Sequence, residues 1–460
     1  TPSRTPGPTP SRTPRPSLRR TPRRTLRVGV ITPLPPQPTG VAVYSARLLE
    51  ALAQRFAGRA DPTIELDVFI DALEGGTAAI TSGAHPPVAP PGATLHPVEQ
   101  LARVSAARGG YDVMVYAIGN SEFHTGALGA ARTRPGIVLA HDVALAQLYA
   151  FAAHHGVIDP EGPGSFAGLA ARLYPERAAE LGTLPNPLLV DPARFAGAPV
   201  SMAKELIGCS LAFLTTSPFA ASMARLEAAP GDEARVGVLV HACRLLPPRP
   251  PERVDEATVV SFGVVNAAKD LATLIDAFAL VRAGHPTARL VLAGQASDKD
   301  RAAALAMARR AGVAGEVTVT GALSDAEWDA WLGRATLAVQ LRRGSNGEFS
   351  GAVAEALAAG VPTITAGLGS AAGLPEGTAL VLPGTAGGPP GATAVAEAIG
   401  ALLDDPARRV RLAGAAREFA RGRSFPAVAE ELEQWILAAA SGRSRRAPGT
   451  TMGCRTGPPG

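Results

Sequence analysis

The chain has 460 residues, of which 46% are hydrophobic and 18% are charged, and its formal net charge is +4. This length allows two or three domains, and the apolar fraction is ample for buried cores. Twelve arginines and no acidic residue lie in segments 1–27 and 441–460, which leaves a formal net charge of about −8 for residues 28–440. This negative charge argues against a nucleic-acid-binding protein.

The two ends differ in composition from the rest of the chain. Residues 1–26 repeat Thr, Pro, Ser and Arg, and residues 441–460 are similarly poor in apolar side chains. Such segments cannot bury apolar surface, so we predict disordered tails; the alternative use of the basic N-terminal tail is attachment to an anionic membrane surface. We find no secretory signal and no 18-residue apolar span, and we expect a cytoplasmic protein, with the inner membrane face as the alternative.

Three cysteines occur along the chain, namely Cys209, Cys243 and Cys454. Their odd number and wide spacing indicate neither a disulfide framework nor a zinc site. A reducing compartment fits this usage.

Short runs rich in Val, Ile and Leu alternate with helical patterns, as is typical of buried parallel strands joined by crossover helices. The first half predicts strands at 26–31, 64–70, 113–118, 137–140, 211–216 and 236–240. The second half predicts strands at 258–263, 289–294, 317–321, 336–341, 362–365 and 379–382.

A Pro-rich stretch at 245–251 separates the halves and is predicted to be a stiff linker. The fold class is therefore α/β, with two doubly wound Rossmann-like domains at 27–245 and 246–440. Ligands of such sheets bind beyond the carboxyl ends of the strands, so we expect a binding cleft between the two domains.

The segment 346–362 is the most informative part of the chain. A Ser350-Gly351 turn leads into an Ala-rich helix in which Glu355 is the only charge. An isolated carboxylate among apolar residues needs a hydrogen-bonding partner, and a helix start offers free amides to an anion. Glu348 precedes Glu355 by seven residues and so lies near the same helix face. This pattern suits a nucleotide sugar, with hydroxyls for the carboxylates and a diphosphate for the amides.

This segment resembles the second-domain signature of GT-B glycosyltransferases of family 4, and the resemblance extends over about residues 26–425. Glu355 matches the second Glu of that signature, which implies contact with the ribose of the donor. The position of the first Glu holds Gly347, and Glu348 follows one residue later; a changed turn would still present Glu348 to the donor sugar. The resemblance also implies donor contacts for Phe349, Ser350 and Gly351.

Two further segments carry the resemblance on the donor side. Lys269 matches the lysine of the phosphate-binding Arg-x(4)-Lys pattern, whereas the arginine position holds Val264. Gly40 lies in a loop similar to the glycine loop of the first domain, which implies a close approach of its backbone to the donor phosphates.

On the acceptor side, His141 and Asp142 resemble the His-Asp pair whose histidine contacts the donor sugar. Asn120 and His124 follow a predicted strand end and are candidates for the acceptor pocket. The resemblance thus implies catalytic roles for His141 and Lys269, and for Glu348 through its altered turn.

The implied activity is transfer of a hexose from a UDP-, GDP- or ADP-sugar to an acceptor hydroxyl with retention of anomeric configuration. The acceptor would be a glycan, a lipid-linked saccharide or a small molecule, and no cofactor or metal is required. We interpret Asp298 and Asp300 as helix-start residues, not as a metal-diphosphate motif. The alternatives are a catalytically inactive partner subunit that binds sugar nucleotides and a nucleotide-sugar epimerase of the same fold.

Overall fold

The computed structural model describes residues 25–59, 61–71, 87–159, 161–177, 200–250, 257–384 and 388–442. The predictions for residues 1–24 and 443–460 lie outside these ranges.

The first domain is built on a seven-stranded parallel sheet in the order β3-β2-β1-β4-β5-β6-β7. Its strands are β1 Thr25–Ile31, β2 Thr63–Ile70, β3 Ala93–Pro97, β4 Val113–Ile118, β5 Ile137–Ala140, β6 Ala212–Thr215 and β7 Val236–Val238. Sequence analysis missed β3, because this edge strand is half-buried, ends in proline and contains no continuous apolar run.

Helices cover both faces of this sheet. They are α1 Gly40–Ala57, α2 Leu101–Arg108, α3 Thr125–Thr133, α4 Ala146–His154, α5 Phe166–Leu173, α6 Ala203–Cys209 and α7 Pro218–Glu227. All six residues of β4 are buried, as expected for a central strand with helices on both sides. Helix α1 begins where the Thr39 hydroxyl accepts a hydrogen bond from the amide of Val41.

The second domain has a six-stranded parallel sheet in the order β10-β9-β8-β11-β12-β13. Its strands are β8 Thr258–Phe262, β9 Arg289–Ala293, β10 Val317–Val319, β11 Leu337–Gln340, β12 Thr363–Ala366 and β13 Leu380–Leu382. The helices that follow in the chain are α8 Leu271–Gly284, α9 Asp298–Arg310, α10 Asp325–Arg334, α11 Gly351–Ala358, α12 Ala392–Asp404, α13 Pro406–Arg421 and α14 Phe425–Ala440. The predicted α/β class with two doubly wound sheets is confirmed.

The last helix, α14, crosses back to the first domain. Its apolar side chains, including Val428 and Leu432, belong to the same buried cluster as Leu52 of α1. Arg55 also forms an ion pair of 2.7 Å with Glu433 of α14. By packing, therefore, residues 425–440 belong to the first domain, although sequence analysis had placed them in the second.

The two domains touch directly beside their cleft. The carbonyl oxygen of Asn346 accepts hydrogen bonds from the amides of Val143 and Ala144, at 2.7 and 2.9 Å. The hydroxyls of Ser217 and Ser370 lie 2.7 Å apart. In the part of the chain that the structure describes, no helix is both long and apolar enough to span a membrane.

Candidate functional site

A cleft of about 600 Å³ lies between the two domains. It is lined by residues that follow strand ends of both sheets and by the start of α1 and of α11. Among the residues predicted for the site, the cleft is lined by Gly40, His141, Lys269, Glu348, Phe349, Ser350, Gly351 and Glu355. The structure thus brings together residues that lie more than 300 positions apart in the chain.

Two glycines of the second domain line the cleft. Gly263 and Gly294 follow β8 and β9, with φ values of 104° and 148° that disfavour any side chain. A β-carbon on Gly294 would stand 2.3 Å from the carbonyl oxygen of Gly263. Only glycine therefore permits these two strand ends to approach so closely.

The start of α11 lines the cleft. Ser350 caps this helix, and its hydroxyl accepts a hydrogen bond from the amide of Val353. The first amides of a helix have no intrahelical acceptor and carry the positive end of its dipole. The amides of Gly351 and Ala352 are therefore suited to an anion.

Lys269 lies on the same side of the cleft, in the turn between β8 and α8. Its ammonium group donates hydrogen bonds to the carbonyl oxygen of Phe262 and to Oε1 of Gln340. Burial and the positive charge of Arg342 lower the pKa of Lys269 to about 7. The ammonium group is thus more weakly protonated here than an ordinary lysine, and an anion in the cleft would favour its charged form.

Glu348 is held by its own loop. Its carboxylate accepts hydrogen bonds from the amide of Asn346 at 2.7 Å and the hydroxyl of Ser345 at 3.1 Å, and it pairs with Arg342. The preceding Gly347 has a φ of 92°, and a β-carbon there would stand 3.0 Å from Val143 of the first domain. A glutamate at position 347 would be strained by this positive φ and would crowd Val143, whereas position 348 accommodates the carboxylate.

Glu355 has partners within the protein. Its carboxylate accepts four hydrogen bonds of 2.7 to 3.1 Å, from Arg47, from two nitrogens of Arg244 and from the indole of Trp328. The side chain is 15% exposed and lines the cleft. The expected partner of this isolated carboxylate is therefore present, and the proposed contact with ribose stays a prediction.

Two histidines of the first domain line the cleft. His141 follows β5 and His241 follows β7, and Tyr44 packs between them, with ring centroids 5.0 and 4.6 Å away. Burial and neighbouring histidines lower the pKa of His141 to about 3, and burial lowers the pKa of His241 to about 4. Both rings are neutral at pH 7 and can bind hydroxyls, but they add no positive charge.

Gly40 is exposed at the first turn of α1, with no atom within 4 Å of the position that a β-carbon would take. The two acceptor candidates lie behind the cleft wall. Asn120 accepts a hydrogen bond from the amide of Leu148, and His124 is buried, with its Nδ1 bonded to the carbonyl of Ala117. Neither lines the cleft, and their contact with an acceptor stays a prediction.

Sequence analysis missed several cleft residues: Arg47, His241, Arg244, Trp328 and Arg342. Two of them carried a usable signal, because His241 and Arg342 each follow the end of a predicted strand. The same strand-end rule had selected His141. The remaining three lack any local pattern.

Asp298 and Asp300 lie in the first turn of α9, where the Ser297 hydroxyl accepts a hydrogen bond from the amide of Asp300. They do not line the cleft. Among the described residues, no group of three or more His, Cys, Asp or Glu side chains could hold a metal ion.

Residues 245–419 match the family of glycosyl transferases group 1. No curated protein matches the chain by sequence. Among solved structures, sucrose-phosphate synthase from Thermosynechococcus elongatus is 18% identical with a TM-score of 0.63, over 91% of this chain and 100% of its own.

Two further structures share the fold. HepE from Anabaena, in complex with UDP and glucose, is 15% identical with a TM-score of 0.59, over 90% of this chain and 100% of its own. WaaG, a glycosyltransferase involved in lipopolysaccharide biosynthesis, is 15% identical with a TM-score of 0.53, over 89% of this chain and 99% of its own. At these identities the likeness establishes the two-domain fold.

Proposed function

Because residues 245–419 match the glycosyl transferases group 1 and the chain has the two-domain fold of solved glycosyltransferases, we propose that it transfers a hexose from a nucleoside diphosphate sugar to an acceptor hydroxyl with retained configuration. One observation carries the proposal. Lys269 and the free amides at the start of α11 face the same cleft and could receive one diphosphate.

The chemical step breaks the bond between the anomeric carbon and the diphosphate oxygen, whose electron pair stays on that oxygen. A bond forms between the acceptor oxygen and the same carbon. Lys269 and the amides of Gly351 and Ala352 would stabilise the charge that develops on the departing diphosphate.

The acceptor proton needs a destination. In a same-face attack the leaving phosphate oxygen takes it, and the product retains its configuration. The imidazoles of His141 and His241 are neutral, so they can orient sugar hydroxyls while the phosphate serves as the base. Contact between the two domains around a bound donor would exclude water and limit hydrolysis.

The donor and the acceptor complete the proposal. HepE was crystallised with UDP and with UDP-glucose, which makes UDP-glucose the first donor to test here. A glycan or a lipid-linked saccharide is the proposed acceptor. A cytoplasmic location, with the basic N-terminal tail against the inner membrane face, also belongs to the proposal.

The test is product formation by the purified full chain. UDP-, GDP- and ADP-glucose are offered with a mixed acceptor pool that includes lipid-linked saccharides, and mass spectrometry and NMR give the product and its anomeric configuration. Lys269→Ala should lower the rate by about 10²–10³, the loss typical of one oxyanion donor. The matched control, Lys299→Ala on the exposed start of α9, should keep full activity.

A binding subunit without turnover is the second candidate. The observation that favours it is that Glu348 and Glu355 are both already paired with arginines in the free protein. Tight donor binding with neither transfer nor slow donor hydrolysis would support this candidate and refute the enzyme. Release of an epimerised sugar would instead identify the epimerase.

A further inference from the structure

On the second domain, the proposed diphosphate site lacks one of the two cationic side chains that the resemblance implies. Val264 occupies the position where the resemblance expects an arginine, and it is 52% exposed at the cleft. A nucleoside diphosphate sugar carries two negative charges, and Lys269 is the one cation that the sequence motif supplies. A lysine with a pKa of about 7 is only partly charged at neutral pH.

The sheet brings another cation to this place. Strands β8 and β11 are parallel neighbours in which Leu337 pairs with Val259 and Ala338 with Val260. Arg342 and Val264 each follow the end of their strand by two residues, so both lie at the same edge of the sheet, and both line the cleft. The segments that follow β8 and β11 are in contact, since the amide of Arg343 donates a hydrogen bond of 3.1 Å to the carbonyl oxygen of Ala268.

The Arg342 side chain is well placed for an anion. It lines the cleft together with Lys269 and Ser350, and 34% of it is exposed. Among the described residues its hydrogen-bond partner is the carboxylate of Glu348. A guanidinium has five N–H donors, so this one contact leaves others for a ligand.

We propose that Arg342 binds the diphosphate of the donor in place of the arginine that Val264 has replaced, and that Glu348 is the positioning residue that orients it. The inference rests on the proposed function, because it concerns the same diphosphate. Arg342 and Lys269 would approach the diphosphate from adjacent strand ends, while α11 supplies its amides. Planar guanidinium groups suit phosphate oxygens, which they can bind through two N–H groups at once.

The first measurement compares ligands with and without the diphosphate. Calorimetric affinities for UDP, inorganic pyrophosphate and uridine are measured for the full chain and for Arg342→Gln. We expect UDP and pyrophosphate to bind tenfold or more weakly to the variant, with uridine unchanged. Arg310→Gln, an exposed charge loss at the end of α9, is the matched control and should bind like the parent.

The second measurement restores the charge at the neighbouring strand end. Val264→Arg is introduced into the Arg342→Gln variant, and most of the lost UDP affinity should return, because position 264 is exposed at the same cleft. Melting temperatures verify that all variants fold. An unchanged UDP affinity in Arg342→Gln, an equal loss for uridine, or no recovery in the double variant would overturn the inference.

Transfer assays separate this inference from the proposed function. Loss of UDP binding in Arg342→Gln, in a protein that transfers no sugar, would refute the enzyme and support Arg342 as a diphosphate ligand. Sugar transfer with the same donor affinity in Arg342→Gln would support the enzyme and refute the role of Arg342.

Discussion

Donor binding should be coupled to proton uptake by Lys269. Burial and Arg342 lower the pKa of this lysine to about 7 in the free protein, and a bound diphosphate raises it again because opposite charge favours the protonated form. Below pH 7 Lys269 is already charged, so donor affinity is full. Above pH 7 the proton must be taken up on binding, so affinity falls as pH rises until the pKa of the complex is passed.

The magnitude follows from the pKa of the free protein. Well above pH 7 each further pH unit weakens binding by up to tenfold, or about 1.4 kcal/mol. Because about half of Lys269 is already neutral at pH 7, the loss of affinity between pH 7 and pH 9 reaches about 50-fold. The other cleft groups with shifted pKa values lie outside this range: burial lowers the pKa of His141 and His241 to about 3 and about 4 and raises the pKa of Asp142 to about 6 and of Tyr44 to about 12. Lys269 should therefore dominate the dependence of donor affinity on pH.

Calorimetry with UDP-glucose measures this coupling, since the esterified diphosphate of that donor keeps its two negative charges between pH 7 and pH 9. Titrations in two buffers of different ionisation enthalpy should give uptake of roughly 0.9 proton at pH 8. Lys269→Gln should bind weakly with no uptake, whereas Lys299→Gln should behave like the parent. Equal affinities at pH 7 and pH 9, with no proton uptake in the parent, would refute the reasoning.

Three further predictions concern Glu355, metal and the tails. Glu355→Gln should lower the free energy of unfolding by about 2 kcal/mol, because Arg47 and Arg244 lose part of their hydrogen-bond acceptor. The melting temperature should fall by about 4–8 °C, whereas the control Glu430→Gln, which changes an exposed carboxylate, should leave it almost unchanged. Equal melting temperatures of Glu355→Gln and the parent would contradict this prediction. Turnover should persist in excess EDTA. If EDTA abolished turnover and added magnesium or manganese restored it, the expectation that no metal is required would be wrong. Deletion of residues 1–24 and 443–460 should leave melting temperature and donor affinity unchanged, and loss of folding would place the domain edge elsewhere.

The strands and helices were largely determined by local sequence. Runs such as 113–118 and 137–140 are apolar throughout because their strands are covered on both faces, and this signal does not depend on distant residues. The edge strand β3 lacked that signal because only part of it is buried. The sequence also did not reveal which domain α14 packs against, since an amphipathic pattern shows that a helix has a buried face but not what covers that face.

The candidate site divides in the same way. Lys269, Ser350 and Gly351 were predicted from short segments of the sequence, Lys269 through its resemblance, and all three line the cleft. Only the tertiary structure decided which side chains face them.

Glu355 shows why: its partners Arg47 and Arg244 lie 308 and 111 residues away and follow no common pattern. Likewise, Arg342 and Lys269 line one cleft because β8 and β11 are neighbours in the sheet, and that neighbourhood depends on how the strands assemble. Contacts between distant segments exist only once the sheets and domains have assembled, and this is the physical reason that local pattern determines the elements but not the charges that meet in the cleft.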